Sequence, residues 1–321
     1  MRSLPRRSAI LVASAAVAAL GLTGCAASSE PTDDGSLSIV ASTSVYGDIA
    51  SRIAGDAAEV TSLITSSAQD PHSFEASAQD QLAISKADLV IENGGGYDPF
   101  IDTLIEASGS TAVVINASEV SGLMPATDGA EADDHAEGEE HDHEHVEGFN
   151  EHVWYSFHAM EHLAEAIVEE LSALEPAEAA TFEANAAAFT ADLAGLEATA
   201  ESLHGRLDGE QVAVTEPVPL YLLEEVGLVN VTPEAFTEAI EEGTDVPPAA
   251  LAETLALFDS GSVVLLAYNA QTASTETERV ADAATAAGVA IVDFTETLPD
   301  GQDYVSWMTA NLDAIAAALP A

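Results

Sequence analysis

From Leu37 onward, short runs of β-branched and aliphatic residues alternate with stretches in which apolar side chains recur every third or fourth position. Residues 37–45, 59–64, 88–92 and 111–116 read as strands, and helical spacing follows over 46–54 and around 78–86. A further helix opens at Asp98-Pro99. Beyond residue 210 the alternation resumes, with strands predicted at 211–215, 262–268 and 289–294, each followed by a helical pattern. Pro247-Pro248 starts one of these helices, because a first turn does not need the N–H that proline lacks. Strand–helix repetition of this kind predicts an α/β fold with mostly parallel sheets flanked by helices.

Between the two alternating regions lies a different pattern. Phe182, Ala186, Phe189, Leu193, Leu196, Ala200 and Leu203 keep an unbroken 4-3-4-3 spacing, which places them on one stripe of a single helix. At ~1.5 Å per residue that helix would be roughly 45 Å long, enough to run the length of two lobes. The other reading is a coiled-coil seam; alanine and phenylalanine in the stripe favour packing within the chain, since a zipper prefers leucine and isoleucine. The expected organisation is therefore two α/β lobes joined by one long rigid helix. An N-terminal lobe spans 37–175 and carries a loop rich in histidine and acid at 121–151. A linking helix covers 176–209, and a C-terminal lobe covers 210–321.

The first residues follow another logic. Arg2, Arg6 and Arg7 precede an apolar run over 9–22 and then Leu22-Thr23-Gly24-Cys25, the order of charged, hydrophobic and cleavage regions in an export signal. The run is about 14 residues long, short of the ~20 that span a bilayer as a helix. The Leu-x-Gly-Cys ending resembles a bacterial lipobox, which implies that residues 1–25 are a signal peptide and that Cys25 becomes a lipidated first residue. An ordinary cleaved signal with an incidental cysteine is the alternative. Gly, Ser and Asp crowd residues 26–36, a flexible tether. The expected location is extracytoplasmic, lipid-anchored to the cell membrane.

Cys25 is the sole cysteine, so no disulfide or thiolate site can form in the mature chain and any metal must be held by nitrogen and oxygen. Seven basic residues face 56 acidic ones, for a formal net charge of −49. After the leader only Arg52, Lys86, Arg206 and Arg279 remain, which excludes nucleic-acid binding for want of a positive surface. A general acidic surface suited to the cell exterior explains most of the excess, and it also draws cations toward the protein.

Residues 128–152 set His135, His141, His143, His145 and His152 among aspartates and glutamates, with almost nothing apolar before Val146. Such a stretch cannot bury enough surface to offset its ordering entropy. Neutral imidazoles among carboxylates bind zinc and similar ions, so the loop reads as a weak auxiliary collector or sensor through His135, His141, His143 and His145. A solvated spacer is the alternative. A rigid site must come from where strands end, since ligands in open α/β folds gather outside the carboxyl ends of strands. His72 follows one such strand in Asp70-Pro71-His72-Ser73-Phe74-Glu75, and His152 precedes a helix in Glu151-His152-Val153-Trp154. Glu216 and Glu296 end strands of the second lobe, in Val214-Thr215-Glu216-Pro217 and Thr295-Glu296-Thr297-Leu298. His158 and His162 lie four apart on one helix, a spacing that fits a partly exposed helix surface better than a site. Catalytic signatures are missing: there is no His-Glu-x-x-His pair, Gly-x-Ser-x-Gly elbow or phosphate-cradling glycine loop.

Asp70-Pro71-His72 with Glu75, the segment Asn93-Gly94-Gly95-Gly96-Tyr97-Asp98-Pro99-Phe100, His152-Val153-Trp154 and the long helix occur in an order that resembles a known family. It is the metal-binding solute-receptor lipoproteins of bacterial zinc and manganese ABC importers, of the zinc-uptake type. The resemblance covers the mature chain and implies four metal ligands: His72 and His152 from the first lobe, Glu216 and Glu296 from the second. Glu216 stands where many zinc-type members have histidine and manganese-type members have glutamate. Glu296 replaces the usual aspartate in a Leu-Asp-Pro setting. Two imidazoles and two carboxylates suit Zn2+, with Mn2+ as the alternative, and the histidine-bearing loop favours zinc. The resemblance also implies a monomeric receptor without enzymatic activity that delivers its ion to an ABC permease with its ATPase. A metal-dependent surface adhesin and a secreted zinc hydrolase are the competing classes.

Overall fold

A computed structural model describes residues 36–66, 69, 71–125 and 148–319, all within one compact unit, Ser36–Ala321. Cys25, Asp70 and the loop histidines His135, His141, His143 and His145 lie outside the described residues. The first sheet contains β1 (Leu37–Thr43), with α1 (Ser44–Ala54) leading into β2 (Ala58–Ile64). α2 (Ala78–Ile84), β3 (Leu89–Glu92), α3 (Phe100–Ser108), β4 (Val113–Asn116) and the short α4 (Ala117–Val120) complete that lobe. Its strands run parallel in the order β2-β1-β3-β4.

Two helices follow, α5 (Phe157–Leu174) and α6 (Ala179–Leu207). The second lobe then runs β5 (Gln211–Val214), α7 (Leu220–Glu225), β6 (Val229–Asn230), α8 (Glu234–Glu241), α9 (Pro248–Ser260), β7 (Val263–Asn269), α10 (Thr275–Ala287), β8 (Ala290–Phe294) and α11 (Tyr304–Ala318). Its sheet is parallel too, ordered β6-β5-β7-β8. The architecture is the expected pair of parallel-sheet α/β lobes flanked by helices. One strand escapes the hydrophobic pattern: β6 has only Val229 and Asn230, too few for any periodicity, and exists through pairing with Gln211 and Val212. The first strand ends sooner than its apolar run, because helix α1 begins at Ser44, with Thr43 at its N-cap position and no side-chain capping bond. Among the described residues no helix is long and apolar enough to cross a membrane.

The 29-residue α6 buries the whole predicted stripe, Phe182 to Leu203, and adds Leu207. It packs on α1 and α5 before it in the chain and on α7 and α11 after it, so both lobes meet on one helix. A single apolar cluster consequently runs through both lobes, from Ile39 of β1 and Ile49 of α1, past Leu163 of α5 and Leu193 of α6, to Val214 of β5 and Leu312 of α11. The outer face of each sheet has a smaller core of its own: Val40, Val90 and Ile101 in the first lobe, Leu266, Phe258 and Val280 in the second. With each large apolar side chain contributing about 1.5–3 kcal/mol on full burial, the shared cluster is what fixes one lobe against the other.

At the end of β3 the fold accepts a charged side chain into its interior. Glu92 is buried and accepts a hydrogen bond from Asn116 Nδ2 at 2.9 Å. Gly94, at φ 70°, leaves the room this requires, since a Cβ there would stand 2.1 Å from the Asn116 amide nitrogen. Burial first, then the neighbouring Asp98 and Asp102 charges, push the Glu92 carboxyl up to about 8. Between the usual value of 4.5 and about 8 the folded chain therefore holds a proton that the unfolded chain has lost, so this group's contribution to stability declines as pH rises across that window and is constant above it. Glu92→Gln, which keeps the amide contact and cannot ionise, should gain on the wild type as pH rises from 5 to 8, at up to about 1.4 kcal/mol per pH unit. Urea unfolding at pH 5, 7 and 8.5 measures it; a stability difference that does not change with pH would show that Glu92 is not held protonated.

Candidate metal centre

Parallel strands deliver their following loops to one edge of each sheet, and the two edges face each other. His72 lies in the turn after β2, and the glycine segment 93–98 follows β3. His152 opens a short 3-10 turn, Val153–Tyr155, just before α5. On the other side Glu216 follows β5, Asn269 ends β7 and Glu296 follows β8. One ligand atom each from His72, His152 and Glu296 lies within 4.8 Å of the other two. His152, Glu216 and Glu296 are buried, and His72 is half-buried.

The first-lobe side chains are oriented by the glycine segment and by Asn150. Asp98 accepts from the backbone N–H of Asn93 at 2.7 Å and of Gly94 at 2.8 Å, which closes the loop on itself. Asn93 Nδ2 then donates to the Glu151 carbonyl at 3.0 Å, tying the histidine-bearing turn to the end of β3. The Tyr97 ring sits edge-on to His72, with centroids 4.9 Å apart, and to His152 at 5.7 Å. Its hydroxyl donates across the cleft to Glu296 Oε2 at 3.1 Å. Burial, and after it the Glu296 carboxylate, hold the Tyr97 phenol protonated well above its usual value. His152 Nδ1 lies 2.7 Å from Asn150 Oδ1, while the amide nitrogen of Asn150 donates to the Pro217 carbonyl at 3.1 Å. That orientation makes Asn150 Oδ1 an acceptor, so the proton of His152 is on Nδ1 and the lone pair of Nε2 points into the cleft.

On the second lobe one amide joins the two expected carboxylates. Asn269 Nδ2 donates to Glu216 Oε2 and to Glu296 Oε1, each at 2.7 Å, and Thr272 adds its hydroxyl to Glu216 Oε2. Gln271 Oε1 accepts from the Glu296 backbone N–H at 2.7 Å, fixing the loop after β8. Glu216 stands outside the compact group of His72, His152 and Glu296, linked to it through Asn269.

Two further carboxylates enter the cleft. His72, Glu151 and Glu241 form a second group whose ligand atoms lie within 4.8 Å of one another, and Glu241 Oε1 is 3.7 Å from His152 Nε2. Burial first, then the charges of Glu151, Glu216, Glu296 and Glu242, raise the Glu241 carboxyl far above the ordinary range. Sequence reasoning overlooked both residues. Glu151 adjoins His152 and could have been weighed; Glu241 is one acid among 56 and ends a helix placed by β6, which the apolar pattern does not reveal. His158 is exposed on α5, with its ring 4.4 Å from that of His162, and neither belongs to a group of three candidate ligands among the described residues. His204 approaches the Glu225 carbonyl through Nδ1 at 3.1 Å, away from the cleft.

Known proteins resemble this arrangement. The zinc-binding lipoprotein AdcA of Streptococcus pneumoniae is 29% identical over 310 residues, which cover 94% of this chain and 59% of that protein. The chain thus spans less than two thirds of that relative's length. The manganese ABC transporter substrate-binding lipoprotein scaA of Streptococcus gordonii is 27% identical over 319 residues, covering 94% of this chain and 96% of that one. Among solved structures, the solute-binding protein FpvC of Pseudomonas aeruginosa in complex with Ni2+ superposes with a TM-score of 0.68 at 26% identity, over 88% of this chain and 96% of that one. The periplasmic zinc-binding protein TroA of Treponema pallidum shares the fold, with a TM-score of 0.71 at 20% identity over 89% of this chain and 100% of that one. The family model for the periplasmic component A of the zinc-uptake complex, ZnuA, matches residues 39–318, both sheets and the whole cleft between them, and the chain belongs to that family.

Proposed function

We propose that the protein is the extracytoplasmic receptor of an ABC importer, capturing a divalent transition metal between its lobes and passing it to a membrane permease driven by a separate ATPase. The observation that carries this reading is the approach of His72, His152 and Glu296, from distant parts of the sequence, to within 4.8 Å at the facing strand ends. Glu216, clamped to Glu296 by Asn269, supplies the fourth ligand. Two neutral imidazoles and two carboxylates balance a dication, which lowers the cost of holding the ion away from water. Zn2+ fits that set of two nitrogens and two oxygens. Mn2+ is the second reading, favoured by glutamate in place of a third imidazole at position 216. A closed set of protein ligands leaves no coordination position for an activated water, so the receptor performs no covalent chemistry. Lipid on Cys25 anchors the chain, which works as a monomer, and His135, His141, His143 and His145 bind metal weakly beside the main site.

In titrations against a competing chelator, His72→Ala or His152→Ala should weaken the tight site by more than about 100-fold, whereas deleting residues 128–147 should remove only weak additional sites. Loss of the tight site in the deletion variant would refute this division. Asn150→Ala frees the His152 ring to take the other tautomer and should weaken binding by about tenfold with little change in melting temperature. Unchanged affinity in that variant would mean the tautomer is set by something else. The ratio of zinc to manganese affinity of the purified domain decides between the two ions.

A further inference from the structure

Five candidate ligands surround the cleft in two overlapping groups that share His72: His152 and Glu296 on one side of it, Glu151 and Glu241 on the other. The groups differ in composition and in whether their members line the openings. The first offers two nitrogens and one oxygen, the second one nitrogen and two oxygens. His152 is 1% exposed and Glu296 3%, and neither lines the large cavities that open beside the cleft. His72 and Glu241 line one of about 1080 Å³, together with Gln271 and Thr272. Glu151 and Glu241 line another of about 640 Å³, together with Asn150 and Glu238. Of the five candidate ligands, Glu241 is therefore the one that lines both openings. Its Oε1 is buried and accepts no hydrogen bond from the described residues, with His152 Nε2 at 3.7 Å, beyond hydrogen-bond range; buried carboxylate oxygens are rarely left so.

Resting on the reading of the cleft as the capture site, we propose that His72, Glu151 and Glu241 form a second, outer cation position that takes a hard divalent ion such as Mn2+ and adjoins the deeper imidazole-rich one. A neutral imidazole has a single lone pair, so an ion bound to His72 occupies one position or the other and the chain carries one ion at a time. An ion entering from either cavity meets the oxygen-rich position first. A soft-tolerant ion such as Zn2+ gains by moving inward to His152, while Mn2+, which prefers oxygen, gains less. Glu241 thus sets the balance between the two metals without being part of the inner ligand set.

The test compares Zn2+ and Mn2+ affinities, by chelator competition, in the full mature chain and in Glu241→Gln, Glu241→Asp, Glu242→Gln and His152→Ala. Glu241→Gln is close to isosteric and removes the anionic ligand; it should weaken Mn2+ by at least about tenfold and Zn2+ by less than about threefold. Glu241→Asp keeps the charge on a shorter arm and should fall between, which guards against a folding defect in the first variant. Glu242→Gln removes one charge from the exposed rim of the same cavities and should change neither affinity by more than about twofold. The outer position is overturned if Glu241→Gln leaves Mn2+ binding intact, or if it weakens both ions by the same factor, as a remote charge would. Wild-type Zn2+ affinity in His152→Ala would instead overturn the receptor reading itself, whatever Glu241 does.

Discussion

Like charge crowded into a buried cleft is the constraint on which the rest depends. Glu151, Glu216 and Glu296 are buried and Glu241 nearly so, yet among the described residues no lysine or arginine lines either cavity beside them. Neutral groups are among those that hold the carboxylates: the amide of Asn269, the phenol of Tyr97 and the hydroxyl of Thr272. Neutral donors fix direction without cancelling charge, whereas a proton or a cation relieves the repulsion. The rise of the Glu241 carboxyl above its usual range is the proton solution. A dication is the other, and it competes for the same oxygens.

Such a cleft survives only on a stiff support, and the shared apolar cluster provides it. Two lobes hinged by a flexible strand could relax apart and let water separate the carboxylates. Here α6 lays one buried stripe against helices before and after it in the chain, so the facing strand ends are held at a set spacing. Contacts across the cleft fall on the loops. Tyr155 donates to the Thr295 carbonyl at 2.7 Å, and Asn150 to that of Pro217 at 3.1 Å. In the proposed role, metal entry would rearrange these loops while the cluster beneath them stays packed.

Much of this was legible from spacing alone. The stripe from Phe182 to Leu203 specified α6 residue by residue, because a long amphipathic helix is a one-dimensional pattern. Strand ends are nearly as local, so His72, Glu216 and Glu296 could be placed at the mouth of a cleft from the alternation of elements. Glu241 and the raised carboxyl of Glu92 could not, since both arise from burial that only the assembled fold creates. Glu92 reads as a strand-terminal acid like any other until Asn116 and the Asp98 loop close over it. β6 was hidden for a related reason: a two-residue strand exists only through its neighbour.

Where nitrogen and oxygen sit within the cleft matters as much as how many there are. Both imidazoles come from the first lobe. Glu216, Glu296 and Glu241 come from the second, and Glu151 adjoins His152 on the first. In the proposed role, an ion that prefers nitrogen would be drawn toward the imidazoles of the first lobe. One that prefers oxygen can be satisfied nearer the openings. Tyr97, edge-on to both imidazoles and bonded to Glu296, spans that gradient. Its hydroxyl is held protonated by burial and by the carboxylate it serves, so its proton remains available to donate to Glu296. That bond fixes the direction of Glu296 from the opposite lobe while the same ring packs against both imidazoles, so one side chain orients three of the proposed ligands.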